Sequence, residues 1–391
     1  MPWREVSAMQ ERREFVRLAM MEGVNRRELC RRFGISPDVG YKWLARAEAG
    51  QDLSDRSRRP LNSPSRSSDA VEAAVLSVRD EHPAWGARKI AAVLERNGVK
   101  PPAVSTVHAI LGRHGRIDPW PVSPGKAWSR FERSAPNELW QMDFKGWVRL
   151  ASQEPLHPLT VVDDHSRYSP CLAACGDQRG ETIKPLLVTA FRRHGMPLAF
   201  FVDNGAPWGD PHGGETWTRF EVWLLKLGIK VIHSRPYHPQ SRGKVERFHR
   251  TLAVELLDLH TFASLDQAQR AFDSWREAYN YERPHQALDQ DVPASAYHPS
   301  PRTFPEILPE PQYDENEIVR SVSTTKAYIS FKGRLWSVPK AFCGERLAVR
   351  PLNTDGLYGV FFASHQIGSI DLTNPQPVSH VPEQASAMSP V

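Results

Sequence analysis

The sequence predicts a multidomain α+β protein. Helix-turn-helix domains stand in front, a mixed α/β core follows, and a small β-barrel closes the chain. Three observations lead there. The 391 residues make two to four folded units at roughly 100–200 residues per domain. The apolar pattern is helical through the first third and changes to strand-like alternation at 139–144. Beyond residue 318, short β-type runs are separated by turn residues.

Composition narrows the class. With 40% hydrophobic and 24% charged residues, the chain is too apolar to be disordered. Its formal charge of +5 is unevenly spread: residues 1–135 hold 24 Lys/Arg against 16 Asp/Glu, and 136–391 hold 26 against 29. A basic front on a near-neutral body points to a polyanion, with nucleic acid the usual one. The start, Met1-Pro2-Trp3-Arg4-Glu5, lacks the apolar run of a secretory signal. No stretch approaches the ~20 apolar residues that span a bilayer. Cys30, Cys171, Cys175 and Cys343 form no CxxC pair, which argues against a disulfide framework or a zinc ribbon. A reduced, intracellular protein is expected.

Residues 1–49 form the first helix-turn-helix domain. A helix over 26–33 ends at Gly34, and Ser36-Pro37 starts the next with a hydroxyl N-cap and a proline in the first turn. Val39, Trp43 and Leu44 are expected to face inward, leaving Asp38, Tyr41, Lys42 and Arg46 for a DNA groove. Residues 50–68 are a Ser/Arg/Pro-rich extended linker. Its Arg56, Arg58 and Arg59 could follow a phosphate backbone or narrow minor groove, or be merely solvated. Residues 69–118 repeat the architecture with helices over 69–80, 87–97 and 105–115, offering Thr106, His108 and Arg113 to DNA. A Pro/Gly bridge (Pro119, Pro121, Pro124, Gly125) leads to the core, residues 136–300.

In the core's first strand, Gln141 and Asp143 share one face and Trp140, Met142 and Phe144 the other. Further strands are expected over 159–163, 170–174, 198–202 and 229–233. Helices are expected over 182–194, 217–227 and 244–257, the last with the stripe Val245, Phe248, Leu252 and Leu256. The β-barrel occupies 318–372, with turns at Lys332-Gly333 and Asp355-Gly356. Residues 375–391 read as a disordered tail.

Three carboxylates stand out by position. Asp143 is acidic inside a core strand, Asp203 ends an apolar strand at Asn204-Gly205, and Glu246 lies opposite its helix's apolar stripe. A carboxylate ending a buried strand is costly unless paired or bound to a cation. Two Asp and one Glu at a sheet edge give the all-oxygen donor set that Mg²⁺ or Mn²⁺ prefers. Two such ions about 3.5–4 Å apart suit phosphodiester displacement. For any one of the three, a cap or a neighbouring partner is the simpler explanation.

ELWQMDFKG (138–146), LTVVDDHSRY (159–168), FVDNGAPWG (201–209), SRPYHPQSRGKVERFHRTL (234–252) and YNYERPHQAL (279–288) follow in order. Together these motifs resemble the catalytic core of retroviral integrases and, more closely, bacterial insertion-sequence transposases with that core. The resemblance covers roughly 136–300. It implies an RNase H-like fold with Asp143, Asp203 and Glu246 as DDE ligands of two Mg²⁺ ions, Mn²⁺ being a possible substitute. It also implies flanking domains that bind transposon ends, a homo-oligomer assembled on DNA, and residence in the bacterial cytoplasm at the nucleoid. The expected chemistry is nicking of the transposon end to free a 3′-OH, then joining of that 3′-OH to target DNA. A DNA-binding regulator with a silent core, or a nuclease without strand transfer, is the alternative.

Two features depart from the resemblance. Asp203 and Glu246 are 43 residues apart, more than in relatives, and the Gly/Pro loop 209–215 can hold the excess without moving the site. The zinc-binding domain of retroviral integrases is absent, since Cys30 is the only cysteine before Cys171. Around the triad, His238, Gln240, Arg242 and Lys244 lead into the Glu246 helix, and Arg247 and Arg250 flank the carboxylate. All six are candidate DNA contacts. Asp163 and Asp164 are expected in a turn with His165 and Arg167. Cys171 and Cys175 are expected to be buried, and Trp208 to stack on a base.

Overall fold

The computed structural model describes residues 7–56, 66–117, 132–209, 217–234, 243–373 and 379–380. Contacts divide the chain into two compact units, Met1–Arg66 and Ser67–Val391.

The first unit is three helices, α1 (Ala8–Ala19), α2 (Arg26–Arg32) and α3 (Pro37–Glu48). Each begins on a side-chain cap: Ser7 with Gln10 in a reciprocal box, Asn25 on Glu28, and Ser36 on Val39 ahead of Pro37. Phe15, Val16, Leu29, Cys30, Trp43 and Leu44 form the core. Val39 departs from its expected inward place and is 40% exposed. Gly40 takes that place, because the buried stripe runs 40, 43, 44 at helical spacing. A Cβ there would collide with Cys30 Sγ and lie 2.9 Å from Phe15 Cζ, so glycine is what lets the helices meet. The start of the expected linker also departs from an extended course. Arg12 donates to the Leu53 carbonyl at 3.1 Å and to both Asp55 oxygens at 2.9 and 3.0 Å, folding 51–56 back onto α1.

In the second unit, α4 (Asp69–Glu81), α5 (Ala87–Arg96) and α6 (Val104–Arg113) close around Val75, Trp85, Ile90, Leu94, Val107 and Ile110. The Pro/Gly bridge lies outside the described residues. The core then forms a six-stranded mixed sheet from β1 (Trp140–Phe144), β2 (Val148–Arg149), β3 (Pro155–Asp163), β4 (Cys171–Cys175), β5 (Ala199–Val202) and β6 (Lys230–His233). Its order is β2-β3-β1-β5-β6, with β4 also on β3. β1 pairs antiparallel with β3 but parallel with β5, and β5 runs parallel with β6.

The alternation in β1 sorts the two faces as expected. Trp140 and Met142 pack with α7 (Gly180–His194) and α8 (Arg219–Lys226) through Ile183, Leu187, Phe191, Phe220 and Leu224. The opposite face holds Val162 and Leu172 against Phe248 and Leu252 of α9 (Gly243–Leu252) and Phe272, Trp275 and Tyr279 of α10 (Leu265–Tyr281). The helix expected over 244–257 changes at Ala253 to a π-helical turn, Ala253–Leu257.

The small β-barrel expected over 318–372 is not closed among the described residues. β7 (Ile318–Ser321), β10 (Arg346–Pro351), β11 (Leu357–Phe362), β12 (His365–Asp371) and β13 (Ser379–His380) form an open sheet in the order β13-β12-β11-β10-β7. β8 (Tyr328–Phe331) and β9 (Arg334–Ser337) form a separate hairpin turning at Lys332-Gly333. Burial holds the pieces together, with no closing ladder among the described residues: Ile329, Phe331 and Trp336 share one core with Leu347, Val349, Val360 and Phe362. Val222 and Leu225 of α8 join that core. Within the expected disordered tail, Ser379 and His380 pair with β12; its remainder lies outside the described residues.

Candidate active site at the sheet edge

Trp140 pairs with Phe200 and Gln141 with Phe201 across the parallel β1–β5 ladder. Carrying that register on by two residues sets Asp143 beside Asp203. Alternation puts both on the face of Leu139, Ala199 and Phe201, a cluster of their own. These are the carboxyl ends of neighbouring parallel strands, where open α/β sheets place their ligand crevices. α9 lies across the same face: Val245 N donates to Gln141 Oε1 at 3.3 Å, and Phe248 is buried. Glu246, next along, is exposed on the first turn of that helix. The two aspartates thus follow the ends of neighbouring parallel strands, and the glutamate's helix is tied to the same face through Val245 and Gln141. Among the described residues, no three His, Cys, Asp or Glu are gathered closely enough to hold a metal ion.

Both aspartates are braced through their backbones by groups the sequence reading missed. Asp143 Oδ1 accepts from Phe144 N at 2.9 Å, and its carbonyl accepts from Thr160 Oγ1 at 2.9 Å. With its proton committed there, Thr160 Oγ1 receives the Nε2–H of His249 at 2.7 Å. The other ring nitrogen, Nδ1, then faces Asp143 Oδ2 at 4.0 Å. Asp203 Oδ1 accepts from Gly205 N at 3.0 Å, and its carbonyl accepts from His233 Nδ1 at 3.1 Å. His233 Nε2 meets the fully buried Glu221 at 2.6 Å. Burial opposes charge on His233, but the Glu221 carboxylate outweighs it and raises the imidazole above its ordinary pKa. One signal was available: His233 ends a strand parallel to the one that Asp203 ends, and Glu221 is the N3 residue of the Thr218 capping box.

The predicted DNA contacts separate. Tyr41, Lys42, Arg56, Arg247 and Arg250 are exposed. Arg46 is half-buried, its guanidinium 4.8 Å from the Trp43 ring and donating to the Ser54 carbonyl at 3.2 Å. Arg113 pairs with buried Glu72 at 2.6 Å, and His114 with the same carboxylate at 3.0 Å. Lys244 is turned inward: its Nζ is 2.6 Å from Asp164 Oδ2, and burial pushes its pKa down to about 8. Gln141 and the Arg133 amide donate to the same buried Asp164, each at 2.8 Å. Arg58, Arg59, His238, Gln240 and Arg242, with most of the loop 209–215, lie outside the described residues.

Asp163 and Asp164 do enter a turn, in which Asp163 Oδ1 accepts from Ser166 N and Oγ. Burial lifts the Cys171 and Cys175 thiols to about 11 and about 12, leaving them inert. Trp208 corrects its assignment. It is 1% exposed and stacks on Phe144, ring centroids 5.7 Å apart, so no base can reach it.

Comparison with known proteins finds matches along most of the chain. Residues 133–239 and 227–293 match family models of the integrase core domain. Residues 11–60 match a helix-turn-helix domain and 39–111 a homeodomain-like domain. The last match is the narrower one: residues 317–377 match the C-terminal domain of IS481 family transposases. Successive segments of the chain thus match helix-turn-helix, integrase-core and insertion-sequence transposase C-terminal models, in the order its motifs indicate.

Among curated relatives, it is 34% identical over 161 residues to an uncharacterized 39.2 kDa protein of insertion element IS476 from Xanthomonas euvesicatoria. That match spans 41% of this chain and 44% of the relative. It is 26% identical over 245 residues to an uncharacterized 31.7 kDa protein of insertion element IS407 from Burkholderia multivorans, covering 59% of this chain and 82% of that one. Among solved structures, a simian T-cell lymphotropic virus intasome chain aligns over 74% of this chain and 96% of its own, with 18% identity and a TM-score of 0.36. No helix among the described residues is long and apolar enough to cross a membrane.

Proposed function

We propose that the chain is a DDE transposase that binds transposon ends, nicks them to free 3′-OH groups and joins those groups to target DNA. The observation that supports this reading is the parallel pairing of Trp140 with Phe200 and Gln141 with Phe201, which carried on by two residues would bring Asp143 next to Asp203, on the face that α9 crosses through Val245. The three side chains offer only carboxylate oxygens, the donor chemistry that fits Mg²⁺, with Mn²⁺ as substitute. Bound there, two ions would activate the attacking oxygen and stabilise the leaving one.

The chain's own residues supply position. Thr160 and His233 pin the carbonyls of Asp143 and Asp203, so each carboxylate leaves a fixed backbone. Tyr41, Lys42, Arg56, Arg247 and Arg250, all exposed, are the described groups best placed to meet phosphates. Cutting two ends together calls for at least a dimer, assembled on DNA.

Purified protein with Mg²⁺ and end DNA should nick, and pre-cleaved 3′-OH ends should be joined to a target. Asp143→Asn, Asp203→Asn and Glu246→Gln should each abolish both reactions while end binding persists. Full activity in any one variant removes that residue from the site, and nicking without joining reduces the reading to a nuclease.

A further inference from the structure

The segment leaving β1 carries a side chain that neither the core nor the carboxylate site uses. Trp147 is 57% exposed, whereas every other described tryptophan is buried or half-buried. The Arg149 guanidinium stands 5.3 Å from its ring centroid and is itself oriented by Gln153 Oε1 at 3.1 Å. The pairing of Val148 and Arg149 with Leu156 and Pro155 makes this a short structured ribbon. The one carboxylate of its turn, Glu154, is engaged by the Ser152 hydroxyl at 3.2 Å. Trp147 stands only four residues after Asp143, so the chain itself keeps the two Cα atoms within about 14 Å of each other. That is about four nucleotides at the 3.4 Å rise of one strand.

We infer that Trp147 and Arg149 form a stacking platform for unpaired DNA bases beside the phosphate at Asp143. The inference rests on the transposase reading and adds a subsite to it. An exposed indole with a cation at one face suits a nucleobase at the other. The same cation and Lys145 suit the adjoining phosphates. A lone exposed tryptophan on a neutral surface would serve a protein partner equally well; here Lys145 and Arg149 bracket it and select a polyanion. The occupant is the transposon-end strand, because its bases lie beside the reacting phosphate in both cutting and joining, whereas target DNA arrives only for the second.

The test uses the full chain and duplexes of the terminal repeat that flanks its coding sequence, with and without a short unpaired flank. Wild-type protein should bind the flanked end more tightly. Trp147→Ala should lose about tenfold on the flanked end and nothing on the blunt one, whereas Trp147→Phe should keep most of the difference. 5-Iododeoxyuridine in the flank should photo-crosslink to the Trp147 peptide. A Trp147→Ala protein that keeps the wild-type preference for the flanked end overturns the platform. A crosslink that forms only from iododeoxyuridine in target DNA overturns the assigned strand. Affinity and crosslink need no cutting, so a wild-type protein that fails to nick sinks the transposase reading and leaves this measurement standing.

Discussion

Lys244 stands two residues before Glu246, and by sequence it belongs with the basic residues that greet DNA. Its ammonium instead neutralises Asp164, which is wholly buried and also receives Gln141 and the Arg133 amide. Removing one partner of a buried pair strands the other charge, at a cost of about 3 kcal/mol or more. Lys244→Ala should therefore lower the unfolding free energy read from a urea titration by about that much and shift its midpoint down, and lose DNA binding only as a consequence of unfolding. Arg247→Ala, with an exposed side chain, should weaken end binding at an unchanged midpoint. The reverse pattern would return Lys244 to the DNA interface. Asp164 explains why sequence reading misplaced the lysine. The acidic residue is 80 positions away, and only β3 and α9 packing together make the pair. Asp143 and Asp203 stood out in the sequence because one is acidic within a core strand and the other directly follows an apolar one. Their backbone braces, Thr160 with His249 and His233 with Glu221, were not, since nothing local marks a hydrogen bond to a distant carbonyl.

Among the elements, those with strong caps and clean periodicity were readable, and failures came where spacing fits two phases. In α3, Val39 and Gly40 compete for the same inward place, and hydrophobicity favours the wrong one. Steric fit decides, since only a hydrogen at position 40 clears Cys30 and Phe15. Alanine gains about 1 kcal/mol of helix propensity, but overpacking costs about 1–3 kcal/mol, so Gly40→Ala should destabilise the first unit. Calorimetry of the full chain should show its transition moved down, with partial recovery when Cys30→Ala is added. Additive effects in that cycle would deny the contact. α10 escaped sequence reading even though Ser264 caps it and Ala268, Phe272, Trp275 and Tyr279 repeat at helical spacing; the signal was there. The small barrel was harder to read for a different reason. Short strands with turn signals specify hairpins, but closure depends on which edges pair, and the hairpin of β8 and β9 stacks on the sheet through Ile329, Phe331 and Trp336.

On the scale of the whole molecule, the motif at 279–288 that signalled relationship is a junction rather than a catalytic element. Asn280 clasps Ser169 at 2.8 and 3.0 Å, and Arg283 pairs with Glu255 at 2.9 Å. Lys89 of α5 reaches that same glutamate at 3.8 Å, while Arg96 donates to the carbonyls of Glu282 and Gln290. The second helix-turn-helix segment is thus fastened to the core through this turn. His285 sits inside it, pushed down to about 2 by burial, with Arg283 and Lys89 adding to the effect. His194, between Tyr168 and Tyr297, is pushed down to about 4, chiefly by burial. Both rings are neutral in the folded protein and would take a proton near pH 6.5 once unfolded. At these two sites the unfolded chain therefore binds more protons as pH falls below 6.5, and their contribution to stability falls with it. By pH 5, each histidine withdraws about 2 kcal/mol that is fully present above pH 7. Urea titrations at pH 7 and pH 5 should show that loss, and His194→Phe should lose about 2 kcal/mol less between the two pH values than the wild type. Equal losses in the two proteins would mean that the buried ring is already charged, or already wet, in the folded state.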